Sequence, residues 1–176
     1  MIFTETKLKG VYIIELEKLN DERGFFARTW DKEVFEKKGF DSKLVQCNIS
    51  FNKLKGTVRG IHYQTTPFEE SKIVRCTKGK IFDVIIDLRS NSSSYTKWIS
   101  VELTEQNHYM IFIPKGCAHG FQTLEDDTEV FYQISEFYNS EHYHGIRWND
   151  PKFDIKWPLK ISLISEKDAS YNNFKD

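Results

Sequence analysis

The chain has no Cys-x-x-Cys pair, no apolar run near the ~18 residues of a membrane helix, and almost no net charge. Each absence removes a class of function. Three cysteines, Cys47, Cys76 and Cys117, are odd in number and far apart, which fits small core residues of a reducing compartment rather than a disulfide framework. A formal net charge of −1 leaves no electrostatic footprint for nucleic acid or for a membrane surface. The Gly-x-Gly-x-x-Gly, Walker and Gly-x-Ser-x-Gly patterns are missing, so no cofactor that does chemistry is implied. Met1 to Gly10 carries Glu5, Lys7 and Lys9 without the apolar stretch of a secretory signal, and the expected location is the cytoplasm.

What the chain does have is aromatic and alternating. Its 176 residues suit a single domain over 1–176, with a polar tail from Ala169 to Asp176 expected to fray. Fourteen Phe and eight Tyr favour a β-rich core. Between Lys80 and Leu88, Phe82, Val84, Ile86 and Leu88 share one face, and Ile81, Asp83, Ile85 and Asp87 the other. Comparable runs cover Gly10–Glu15, Leu44–Phe51, Thr57–Gln64, Lys72–Thr77, Trp98–Leu103, His108–Ile113, Cys117–Leu124 and Glu129–Ser135. Turn residues such as Lys78-Gly79 and Asn91-Ser92-Ser93-Ser94 separate them. One short helix is expected over Lys32–Lys38, capped by Asp31 and ended at Gly39. The class is all-β, an antiparallel sandwich or barrel with short flanking helices; period and turn spacing do not separate a jelly roll from other sandwiches.

Polar residues interrupt strands that otherwise read as core. Arg59 and His62 lie on opposite faces of a regular strand, and Gly60 between them allows a bulge that would turn both toward one pocket. Tyr132 alternates with Val130 and Ile134 and points inward with them; Lys72 opens a strand, and His119 follows the turn Pro114-Lys115-Gly116. Each has an ordinary reading as well: a hydrogen-bonded structural histidine, a solvated lysine, a packed tyrosine, a surface ion pair. Pro114-x-Gly-x-x-His119 matches half of a metal-binding barrel pattern. The other half would need His-x-His, and His62-Tyr63-Gln64 supplies one histidine, too few for a transition metal. His142 and His144 sit in a polar stretch and read as exposed.

A longer series then lines up: Asp21-Glu22-Arg23-Gly24-Phe25-Phe26, Gln46-x-Asn48-x-Ser50, Gly56-Thr57-Val58-Arg59-Gly60-Ile61-His62-Tyr63-Gln64 and Lys72-Ile73-Val74-Arg75. It continues through Gly79-x-x-x-Asp83-Val84, Asp87-x-Arg89, Ile113-Pro114-x-Gly116-x-Ala118-His119-Gly120-Phe121, Trp148-Asn149-Asp150-Pro151 and Leu163-x-Ser165-x-Lys167-Asp168. The series resembles dTDP-4-dehydrorhamnose 3,5-epimerase and its nucleotide-sugar epimerase relatives over roughly residues 8–168. The resemblance implies a cupin-type antiparallel jelly-roll barrel that forms a homodimer, a strand near the N-terminus crossing to the partner. It implies His62 as the base beside a C4 ketone, Asp168 behind its imidazole, Lys72 on the enolate oxygen and Tyr132 as the acid on the opposite face. Arg59, Gln46 and Asn48 would hold the nucleotide sugar, His119 would line the sugar pocket, and Arg23 and Phe26 would reach the partner's nucleotide.

The chemistry is coherent without the family. A ketone acidifies the C–H on either side, so C3 and C5 exchange protons without metal or redox cofactor, and an ammonium stabilises the enolate. A histidine backed by a carboxylate titrates near working pH. Two positions depart from the family pattern. Arg28 stands where a glutamate near the base is common, and a donor there would suit cytosine in a CDP-sugar better than thymine. Phe137 stands where a tyrosine is common, which would restrict epimerisation to C3 or C5 unless Tyr138 compensates. A rival of another class is a non-catalytic sugar-nucleotide-binding cupin, which predicts that one of His62, Lys72, Tyr132 and Asp168 would be missing; all four are present.

Overall fold

The computed structural model describes residues 1–175, and its elements follow the alternation closely. One six-stranded sheet runs in the order β1 (Ile2–Glu5), β2 (Tyr12–Glu15), β10 (Met110–Ile113), β7 (Lys72–Lys78), β12 (Thr128–Ile134) and β5 (Gln46–Asn52). A second holds β13 (Tyr143–Gly145), β6 (Thr57–Gln64), β11 (Cys117–Thr123), β8 (Lys80–Asp87) and β9 (Trp98–Thr104), with β14 (Leu163–Ile164) pairing β6 in parallel. Every other ladder is antiparallel, as the all-β, cupin-type jelly roll requires. β3 (Leu19–Asp21) and β4 (Gly24–Phe26) form a separate hairpin whose residues are all exposed. The N-terminal, Tyr143–Gly145 and Leu163–Ile164 strands and this hairpin are not visible in the alternation, being short and lying at sheet edges or outside the sheets.

The two large sheets face each other. Val74, Ile111, Ile113 and Val130 of the first pack with Ile81, Ile85, Leu103 and Phe121 of the second. β8 is buried on both faces, because Val84 and Ile86 pack outward with Ile146, Phe153 and Ile155. Helix α1 (Lys32–Lys37) starts where Asp31 accepts the Val34 amide and places Phe35 among Phe3, Phe40 and Phe112. Cys76 and Cys117 are buried, whereas Cys47 is exposed on β5. Among the described residues no helix is long and apolar enough to cross a membrane.

The tail departs from expectation. Short helix α2 (Glu166–Ala169) is capped by Ser165, and beyond it the chain stays packed: the Arg147 amide donates to Asn172 O at 3.2 Å and the Phe174 amide to Asp150. Polar composition predicts fraying, but the Asn172 carbonyl, the Asp150 carboxylate and the Phe174–Phe153 contact tie the tail to the domain. Asp176 lies outside the described residues.

β6 carries the irregularity that builds the site. His62 pairs with His119 and Arg59 with Phe121, so three steps on β6 match two on β11. That extra residue puts Arg59 and His62 on one face despite their odd spacing. Gly60 and Gly120 make the crossing possible: Gly60 has φ +109°, and a Cβ there would lie 2.6 Å from Gly120 Cα and 2.8 Å from His119 O. Gly60→Ala is expected to destabilise the fold by about 2 kcal/mol or more, since backbone rather than a flexible side chain blocks the methyl. Urea unfolding checks it; an unchanged midpoint contradicts it.

Candidate active site

The face turned inward at the bulge opens onto a cavity of about 460 Å³ between the sheets. His62, Arg59 and His119 line it from one sheet, and Gln46, Asn48, Lys72 and Tyr132 from the other. Seven of the residues singled out in the sequence therefore meet in one space, five strands contributing from two sheets.

Asp168 reaches His62 from α2. Its Oδ1 lies 2.8 Å from His62 Nε2, and its Oδ2 accepts the Gly60 amide at 3.0 Å. Ser165 accepts the Asp168 amide, so the helix cap sets the direction of the carboxylate. With a carboxylate on Nε2, that nitrogen carries the proton and Nδ1 keeps the lone pair. Burial pushes the His62 pKa below its ordinary value, and the neighbouring Asp168 only partly offsets it. At neutral pH the imidazole is uncharged. Burial works against ionised Asp168, yet hydrogen bonds from His62, Gly60 and Ser165 hold its carboxyl below the usual range.

Lys72 is buried, not solvated, and its ammonium pairs with Glu70 at 2.9 Å and approaches His62 O at 3.5 Å. Burial raises the Tyr132 pKa, so the phenol keeps its proton at neutral pH. Arg59 is anchored by its Nε on Asn52 Oδ1 at 2.6 Å, and Gln46 accepts the Tyr138 amide at 3.0 Å.

Some partners were not anticipated. Asp83, fully buried, lies 2.7 Å from His119 Nε2, which makes a second histidine–carboxylate pair. Burial pushes its carboxyl up, with His119 and Lys72 pulling the other way. The signal was present as a carboxylate alternating with Ile81 and Ile85 on a core face. Glu70, Gln64, Tyr138 and Tyr143 also line the cavity, the Tyr143 ring 5.0 Å from that of His62. Among the described residues no three His, Cys, Asp or Glu side chains gather as a metal site would need. His144 is exposed and His142 half-buried against Phe68 and Thr65.

A model of the dTDP-4-dehydrorhamnose 3,5-epimerase family matches residues 5–176. The chain belongs to that family. The dTDP-4-dehydrorhamnose 3,5-epimerase of Sinorhizobium fredii is 42% identical over 97% of this chain and 88% of its own. Among solved structures, that of the Bacillus anthracis epimerase with TDP and PPi bound superposes with a TM-score of 0.94 at 36% identity, covering 98% of this chain and 99% of that one. The Legionella pneumophila epimerase in complex with dTDP-4-keto-L-rhamnose gives a TM-score of 0.90 at 34% identity, covering 98% and 92%.

Within this family member the remaining candidates lie apart from the cavity of their own chain. Arg23 is exposed on the β3–β4 turn, paired with Asp21, and Phe26 is 66% exposed. Arg28 lies 2.6 Å from Asp31, the α1 cap, so one arm of its fork is engaged there. The rest of the guanidinium is exposed. Phe137 is 61% exposed and does not line the cavity, whereas Tyr138 does. β12 ends at Ile134, so Phe137 and Tyr138 lie on the loop that follows it.

Proposed function

We propose that the chain epimerises a dTDP-linked 4-keto-6-deoxy sugar at C3 and C5, as its relatives' names describe, for deoxysugar and surface-polysaccharide synthesis in the cytoplasm. The observation that carries this reading is the uncharged, carboxylate-backed His62 facing Lys72 and Tyr132 across one cavity. His62 Nδ1 takes the proton α to the ketone; the electron pair moves into the carbonyl, and Lys72 meets the charge forming on oxygen. Tyr132, from the facing sheet, returns a proton to the opposite face of the carbon, which inverts it. Electrons stay within the sugar, so the steps require no redox cofactor. Arg59, Gln46 and Asn48 hold the nucleotide sugar, the Arg59 fork suiting pyrophosphate, and His119 borders the sugar. Tyr138 beside Tyr143 supplies hydroxyls in the region where Phe137 would have withdrawn one, which favours both centres over one.

The working unit is a homodimer in this reading. Leu19, Phe26 and Ile49 are 69%, 66% and 63% exposed, apolar area that a crossing hairpin and a facing sheet would cover. Arg23 and Phe26 then reach the partner's nucleotide.

Lys72→Met tests the role of the ammonium. Expected is a fall in kcat of roughly 10²–10³ with KM little changed, because the interaction strengthens only as the enolate forms. Steady-state turnover of the dTDP-linked keto-sugar reads it; a loss confined to KM contradicts the assignment.

A further inference from the structure

The chain that brings Asp168 to His62 also brings a ring. Tyr171 follows Asp168 by three residues, and its ring stands edge-on to the His62 imidazole with centroids 5.8 Å apart at 75°. The same ring presses on Gly145, where a Cβ would lie 2.2 Å from Tyr171 Cε2. Gly145 is the residue paired with His62 in the β13–β6 ladder. The ring therefore occupies the space that a side chain at position 145 would fill.

The hydroxyl of Tyr171 is buried without a hydrogen-bond partner, so its own polar bonding does not explain its burial. Tyr171 does not line the cavity, and its ring stands against β13 at Gly145, beside the His62 imidazole. Its backbone is fixed by the neighbouring bonds from Arg147 to Asn172 and from Phe174 to Asp150.

We propose that Tyr171 is a positioning residue: its ring closes the His62–Asp168 pair against water and keeps carboxylate and imidazole in register, while its hydroxyl is dispensable. The inference rests on the reading of His62 as the base. The groups facing His62 are Asp168 on α2, Lys72 on β7, His119 on β11, Tyr132 on β12, Tyr143 on β13 and Tyr171 itself. Of those acting on the imidazole, Asp168 favours its charge, Lys72 and His119 oppose it, and burial opposes it most. Admitting water relieves the largest of these effects.

The test is the pH dependence of kcat and kcat/KM for Tyr171→Ala, Tyr171→Leu and Tyr171→Phe on the dTDP-linked 4-keto-6-deoxy sugar. Tyr171→Ala is expected to move the acidic limb to higher pH by roughly one unit and to lower kcat on the order of tenfold with KM nearly constant. Tyr171→Phe restores both. Tyr171→Leu, which fills part of the space, shifts the limb in the same direction and replaces the alanine variant if melting shows that variant unfolded. An acidic limb that stays in place without the ring, or one that phenylalanine fails to restore, overturns the proposal. His62→Ala is run beside them: a fall in kcat of less than about tenfold there sinks the base assignment itself, while a fall of roughly 10²-fold or more with an unmoved Tyr171→Ala or Tyr171→Leu sinks this inference alone.

Discussion

Asp168→Asn is expected to lower kcat by roughly 10²–10⁴ while leaving KM close to that of the unaltered protein. The reason lies in the two oxygens of the side chain. Oδ2 accepts the Gly60 amide, an obligate donor, and Oδ1 faces His62 Nε2. An asparagine must give its carbonyl oxygen to Gly60, because its NH₂ facing that amide would set donor against donor. The NH₂ then points at Nε2 and donates to it. That moves the ring proton to Nδ1, the nitrogen that has to receive the proton of the sugar. Volume hardly changes, so steady-state kinetics on a folded variant isolates the tautomer. A fall of less than about tenfold would show that Asp168 does not set it.

His62→Ala should cost a similar factor, roughly 10²–10⁴ in kcat, since it removes the proton acceptor itself. The two losses are not independent. Asp168 acts through His62, so the double variant should be little worse than His62→Ala alone. The sign of the pH dependence follows from the same residue. Burial holds the His62 pKa below its ordinary value of about 6.5, and the base works only when neutral. Activity therefore rises with pH through a limb on the acid side of that value and is complete by neutrality. A limb above it would mean that another group titrates, or that His62 is solvated in the working enzyme.

Much of the fold was legible because most strands obey period two and end at turn residues. Lys80–Asp87 and Thr57–Gln64 are where alternation and turns put them, and Asp31 caps the helix that its position announced. The β3–β4 hairpin was not, since strands exposed along their whole length show no inward face, and in β1 Phe3 alone turns partly inward. In the site, His62 and Arg59 depended on one residue of bulge at Gly60, visible in the sequence only as a permission. Asp83 had a local signal, a charge among isoleucines, but its partner His119 lies thirty-six residues on in a neighbouring strand. Phe137 and Tyr138 lie beyond the end of β12, where alternation no longer tells which side chain turns to the cavity. Tyr171 gave no pattern at all: its contact with Gly145 arises from a tail whose polarity reads as disorder.

The central claim is proton exchange beside a ketone, and solvent isotope reads it without altering a residue. The unaltered protein should be incubated in D₂O with dTDP-4-keto-6-deoxyglucose, and the deuterium at each carbon counted by NMR and mass spectrometry. The expected result is incorporation at both C3 and C5, with inversion at each, in the unaltered protein, and incorporation slowed by roughly 10²-fold or more in His62→Ala. Binding of the nucleotide sugar with no deuterium at either carbon would contradict the account and leave a sugar-nucleotide-binding protein in its place.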